Sequence, residues 1–124
     1  NLIINETKYT PAINLNAQEG ICEFKGKSFP ENTFEFYTPV MDWITEYFTV
    51  NSQKKITFNF EIIYFNSSSS KALFNLFNLL DKEQKEGKDL EVNWVYDEEN
   101  DFGEESGEDF KEDFEDLNFN LVKK

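Results

Sequence analysis

Two periodicities take turns along the chain. Ala12 to Asn16 and Ile21 to Lys25 switch between apolar and polar at each step, and Ala17-Gln18-Glu19-Gly20 between them ends in glycine, so an opening hairpin is expected. Cys22 falls on its buried face with Phe24, as a small hydrophobe rather than a reactive thiol. Gly26 to Asn32 reads as a turn. Phe34, Tyr37, Met41, Ile44 and Phe48 then recur at helical spacing. Pro39 fits the first helical position behind a Thr38 N-cap, so the helix is expected from there, with Asn51-Ser52-Gln53 ending it. Ile56, Phe58, Phe60, Ile62 and Tyr64 alternate with Thr57, Asn59, Glu61, Ile63 and Phe65, as in a long central strand. From Lys71 the period becomes helical through Leu73, Leu76, Phe77 and Leu80, with Gly87 as the stop. Leu90, Val92, Trp94 and Tyr96 predict another strand. Phe110, Phe114 and Leu117 predict a short helix whose start Gly103 and Gly107 obscure, and Phe119 and Leu121 a closing strand. No internal repeat is visible. The order is β-β-α-β-α-β-α-β, an α/β domain with a mixed sheet in which Ile56 to Tyr96 forms a right-handed parallel crossover.

Composition narrows the class. At 124 residues the chain is the length of one domain, and 17% aromatic content calls for a packed core despite a net charge of −13 and a mean hydropathy of −0.64. No apolar run is long enough to span a membrane, and no export signal is visible. A single cysteine fits a reducing cytoplasm. The chain has neither His nor Arg, which removes Ser-His and Cys-His catalytic pairs, His-bearing zinc sites and arginine phosphate forks. A pI of about 4.3 argues against nucleic acid.

The acidity is concentrated in residues 97–116, where twelve carboxylates face one lysine, Lys111. This is either a solvated helix face and loop or a surface selecting a basic partner. Asp97, Glu99, Asp101, Glu105 and Glu108 share the spacing of a calcium loop, but Phe102 stands where its turn glycine belongs, so no metal is expected, and no cofactor.

The chemically informative stretch is Tyr64-Phe65-Asn66-Ser67-Ser68-Ser69-Ser70-Lys71-Ala72, where the central strand gives way to a helix at the carboxyl edge of the sheet. One of these polar residues is needed to cap the helix, worth ~1 kcal/mol. A phosphate on a serine here would also be stabilised by the helix N-terminus, with Lys71 one turn away to neutralise it. A serine nucleophile is the enzymatic alternative, and no base for it is evident.

Ser28 to Tyr37 (S-F-P-E-N-T-F-E-F-Y), Val40-Met41-Asp42-Trp43 and Tyr64 to Ala72 resemble the SiaC family of bacterial regulatory phosphoproteins, from about Thr10 through Tyr96. The resemblance implies a single STAS-like domain spanning residues 1–124 and a non-enzymatic, partner-switching role. It implies a histidine-kinase-like Ser/Thr kinase that phosphorylates the hydroxyl after the motif Asn and a PP2C-type phosphatase that reverses this. The unphosphorylated form would bind and activate a diguanylate cyclase, controlling cyclic di-GMP and biofilm formation. By position the acceptor is Ser67, where relatives often carry Thr, with Ser68 the next candidate. Asn66, Ser68, Ser69, Lys71, Pro30, Glu31 and Asn32 are expected around it as the surface a partner reads. Ser70 replaces a more usual apolar residue, and the acidic segment after Tyr96 departs from the family. An anti-sigma-factor antagonist and a small Ser-dependent hydrolase are the alternative functions.

Overall fold

The opening hairpin pairs β2 (Ala12–Asn16) antiparallel to β3 (Ile21–Ser28), as the alternation predicts, and β1 (Leu2–Ile4) adds an antiparallel edge strand to it. Three residues are too few to show a period, so β1 had no sequence signal. The computed structural model describes residues 1–50 and 54–124, and the expected helix stop at Asn51-Ser52-Gln53 lies outside them. Three βα steps complete the fold: α1 (Thr33–Val50), β4 (Ile56–Phe65), α2 (Ser67–Lys85), β5 (Leu90–Tyr96), α3 (Asp101–Asp113) and β6 (Phe119–Lys123). The six strands lie in chain order, with β3, β4, β5 and β6 mutually parallel.

The helices share one core with one face of the sheet. Leu15, Phe24, Phe58, Phe60, Val92, Trp94 and Phe119 are buried there with Ile44, Leu76, Phe77 and Phe110 of the helices. The alternate positions Asn14, Glu23, Lys25, Asn59, Glu61, Glu91 and Asn93 lie on the other face, exposed or half-buried. In-register Asn59, Asn93 and Asn120 bridge there, Asn93 donating to Asn59 at 2.9 Å and Asn120 to Asn93 at 3.3 Å. Half-buried amides are thus satisfied by one another where the sheet has no helix above it.

Five expectations need correction. Strand β3 continues through Gly26-Lys27-Ser28, where a turn was expected. Pairing skips Ile63 between Gly26↔Ile62 and Lys27↔Tyr64, so β4 carries an extra residue and its inward face inverts. Phe65 is therefore buried while Tyr64 is 44% exposed. Gly26 sits at φ +126°, a backbone conformation that favours glycine.

Helix α1 starts at Thr33, not at Pro39. Asn32 supplies the cap, its Oδ1 accepting from the Glu35 N–H at 3.0 Å, and Pro39 is carried inside the helix on its exposed side. Helix α2 likewise starts at Ser67, a turn before the apolar period declares it, and Gly87 stops it at φ +105°. Helix α3 begins well before its expected stripe and ends inside it: Phe114 is the C-cap, and Leu117, expected in the helix, lies in the turn beyond. Gly103 and Gly107 lie inside the helix because Trp94 packs there: the indole donates to the Gly103 carbonyl at 2.9 Å, and a Cβ on Gly107 would sit 2.5 Å from the ring. The stretch with calcium-loop spacing is helical from Asp101 onward, and so is not a loop.

Candidate functional site

Parallel strands with helical crossovers place every helix N-terminus at the carboxyl edge of the sheet. All three helices begin there with the same device. The side chains of Asn32, Asn66 and Asn100 accept from the N–H three residues on, in Glu35, Ser69 and Gly103, at 3.0, 3.0 and 3.1 Å. The three caps are evenly spaced in the chain, so a repeat hidden from apolar patterning emerges in the structure. The residue after each cap is Thr33, Ser67 or Asp101. The fold already accepts a permanent carboxylate at this first helical position in α3, where the free N–H groups and dipole favour negative charge.

The four serines after Asn66 have different environments. Ser67 is exposed, and its hydroxyl makes no hydrogen bond among the described residues. Ser68 is exposed but tied down, its Oγ 2.6 Å from Thr33 Oγ1 and donating to Asn66 Oδ1 at 3.2 Å. Ser69 is fully buried, 2.8 Å from the Ser28 hydroxyl, which is 2.6 Å from the Tyr37 hydroxyl. Ser70 is half-buried, a turn inside the helix. Burial pushes Tyr37 up to about 12, against a smaller opposing effect of the Ser28 hydrogen bond, so it remains a neutral phenol.

Of the residues expected around Ser67, the structure brings Asn66, Ser68, Lys71, Glu31 and Asn32 to the same rim. Pro30, itself buried, lines one shallow concavity with Glu31, Asn32 and Ser68. Ser69 is fully buried, its hydroxyl used to join α2 to β3 and α1. Lys71 is exposed, one helical turn from Ser67, with no ion pair among the described residues. It helps line a groove of about 570 Å³ between α1 and α2, with Phe34, Met41, Asp42, Ala72 and Asn75. Phe34 is 82% exposed at its mouth. On the other side of the site Tyr9, Phe29, Tyr64 and Phe102 follow one another in edge or tilted contacts along the sheet edge.

Sequence reasoning did not single out Ser28, Thr33, Phe34 or Tyr37 as site residues. The signal was their place in Ser28 to Tyr37, a stretch quoted for its resemblance alone. That stretch and the serine stretch are two sides of one site, joined by Ser28–Ser69, Thr33–Ser68 and the Asn66 N–H bonded to the Ser28 carbonyl at 3.1 Å.

Comparison with known proteins agrees with this geometry. The family model for SiaC family regulatory phosphoproteins matches residues 4–124. An uncharacterized protein of Pseudomonas aeruginosa strain UCBPP-PA14 is 35% identical over 112 residues, covering 90% of this chain and 88% of its own. Among solved structures, that of the diguanylate cyclase SiaD in complex with its activator SiaC from Pseudomonas aeruginosa contains a chain that superposes with a TM-score of 0.88 at 31% identity, covering 99% of this chain and 98% of that one. SiaC of Pseudomonas aeruginosa gives a TM-score of 0.85 at 30% identity, covering 98% of this chain and 94% of its own. The match extends through the acidic segment, where the sequence departs from the family's pattern. With the family model spanning the fold and the serine-bearing edge together, the chain belongs to the SiaC family of regulatory phosphoproteins.

Proposed function

We propose that this protein is a non-enzymatic switch whose unphosphorylated form binds and activates a diguanylate cyclase, and that Ser67 is the residue whose phosphorylation turns it off. A histidine-kinase-like Ser/Thr kinase adds the phosphate and a PP2C-type phosphatase removes it, in the cytoplasm. The observation that carries the reading is the exposed, unbonded Ser67 hydroxyl at the first position of α2. A modifying enzyme can reach it without unfolding the chain, and the helix N-terminus stabilises the resulting dianion. Among the described residues no lysine or carboxylate is bonded to that hydroxyl, which speaks against a serine nucleophile. The similarity to a chain solved with its cyclase supports the choice of partner.

A phosphate here reaches a rim crowded with exposed side chains that a partner must cover. Desolvating it there costs ~3 kcal/mol, a hundredfold or more in affinity. Ser67→Asp should therefore weaken cyclase binding and activation while melting at the wild-type temperature, and Ser67→Ala should bind whether or not kinase is present. Equal binding by both variants in a titration followed by cyclase activity would remove Ser67 from control.

A further inference from the structure

We infer that Thr33 confines phosphorylation to Ser67 by engaging the neighbouring hydroxyl. This rests on Ser67 being the acceptor and concerns what makes it the acceptor within a run of four serines. Ser68 Oγ lies 2.6 Å from Thr33 Oγ1, with either hydroxyl able to donate, and 3.2 Å from Asn66 Oδ1, so Thr33 engages the Ser68 hydroxyl directly. That bond ties up the hydroxyl that would attack phosphorus, and it holds the side chain toward α1. Ser69 is held out of reach by a different bridge, to buried Ser28. Ser70 makes no side-chain hydrogen bond either, but it is half-buried a turn inside the helix. Of the four, Ser67 alone is both exposed and without a side-chain hydrogen bond among the described residues.

In the transfer, the acceptor oxygen forms a new bond to the γ-phosphorus of ATP, the bond from that phosphorus to ADP breaks, and the hydroxyl proton passes to a base of the kinase. At Ser68 the attacking oxygen must first shed the Thr33 hydrogen bond. Thr33 touches neither nucleotide nor the reacting atoms at Ser67. It is a positioning residue that works through Ser68.

The test uses the full chain with the histidine-kinase-like kinase of the same genome and Mg·ATP, read by fragment mass spectrometry. Thr33→Val keeps the shape of the side chain and deletes the hydroxyl that engages Ser68. The ratio of phosphate on Ser68 to phosphate on Ser67 should rise roughly three- to tenfold, the worth of one hydrogen bond, while Thr33→Ser holds the wild-type ratio. With Ser67→Ala, the single variant should stay largely unmodified and the double variant with Thr33→Val should take up phosphate on Ser68. An unchanged ratio in Thr33→Val, or an equal rise in Thr33→Ser, overturns the role of Thr33 and leaves the Ser67 switch standing. Wild-type protein phosphorylated elsewhere than Ser67 overturns the acceptor assignment itself, and this inference with it.

Discussion

Asn66 holds together the turn on which the site depends. Its Oδ1 takes both the Ser69 N–H and the Ser68 hydroxyl, and its backbone N–H is tied to β3 through the Ser28 carbonyl. Asn66→Ala should cost about 1 kcal/mol in urea unfolding and also loosen the presentation of Ser67, so slower phosphorylation should accompany the lower midpoint. Two buried acids set the alkaline limit. Burial pushes Cys22 from 9.0 up to about 12 and Tyr37 from 10.0 up to about 12, so both stay protonated in the folded chain after they have ionised in the unfolded one. The native state then binds more protons than the unfolded state, and stability present in full below pH 9 is lost as the pH rises toward about 12. Urea midpoints for the Cys22→Ala, Tyr37→Phe double variant should fall less steeply over that range than those of wild type.

The sequence was most informative where an element had an apolar period of its own, and weakest at element starts. Strands β2, β4 and β5 and the body of α2 were legible because their inward residues repeat at fixed intervals. The first turns of α1 and α2 were not, because they are built from Asn, Ser and Thr whose role is capping, and Pro39 offered a competing start. The strand bulge at Ile63 was hidden for a related reason: Ile63, Tyr64 and Phe65 are all apolar, and only pairing to Gly26 and Lys27 shows which faces inward. Helix α3 shows the same limit with glycine. Propensity alone says that Gly107→Ala should stabilise a helix by about 1 kcal/mol. Packing reverses the sign, since the new methyl would sit 2.5 Å from Trp94 and 2.8 Å from Leu121, both side-chain contacts on the sheet. A loss of ~1–3 kcal/mol is expected in thermal or urea unfolding. Pro39→Ala should do the opposite, restoring a helical N–H on an exposed face and raising the midpoint by about 1–3 kcal/mol in stability.

Across the whole molecule, charge is distributed very unevenly. Helix α3 and its flanks turn Asp101, Glu105, Glu108, Asp109, Glu112, Asp113, Glu115 and Asp116 outward while Gly103, Gly107 and Phe110 face the core, so the acidic segment is first of all a solvated helix face. Only Lys85 and Lys123 reach its carboxylates in ion pairs among the described residues, at 3.8 Å to Asp116 and 3.7 Å to Glu98. These exposed pairs are worth about 0–1 kcal/mol each, less than the mutual repulsion of so many like charges. Added salt should therefore screen the repulsion and raise the melting temperature by a few degrees, ~1 kcal/mol, where a protein held together by surface ion pairs would lose stability.

Because the strands lie in chain order, a nascent polypeptide can assemble this sheet in the sequence in which the ribosome delivers it. Each new strand meets an edge already in place, and none has to thread between two neighbours already paired. The last to arrive is β6, whose Phe119 closes against Phe77 at 5.2 Å and Trp94 at 6.4 Å. The Asn66–Ser70 turn is thus laid down well before β6 seals the aromatic cluster behind it.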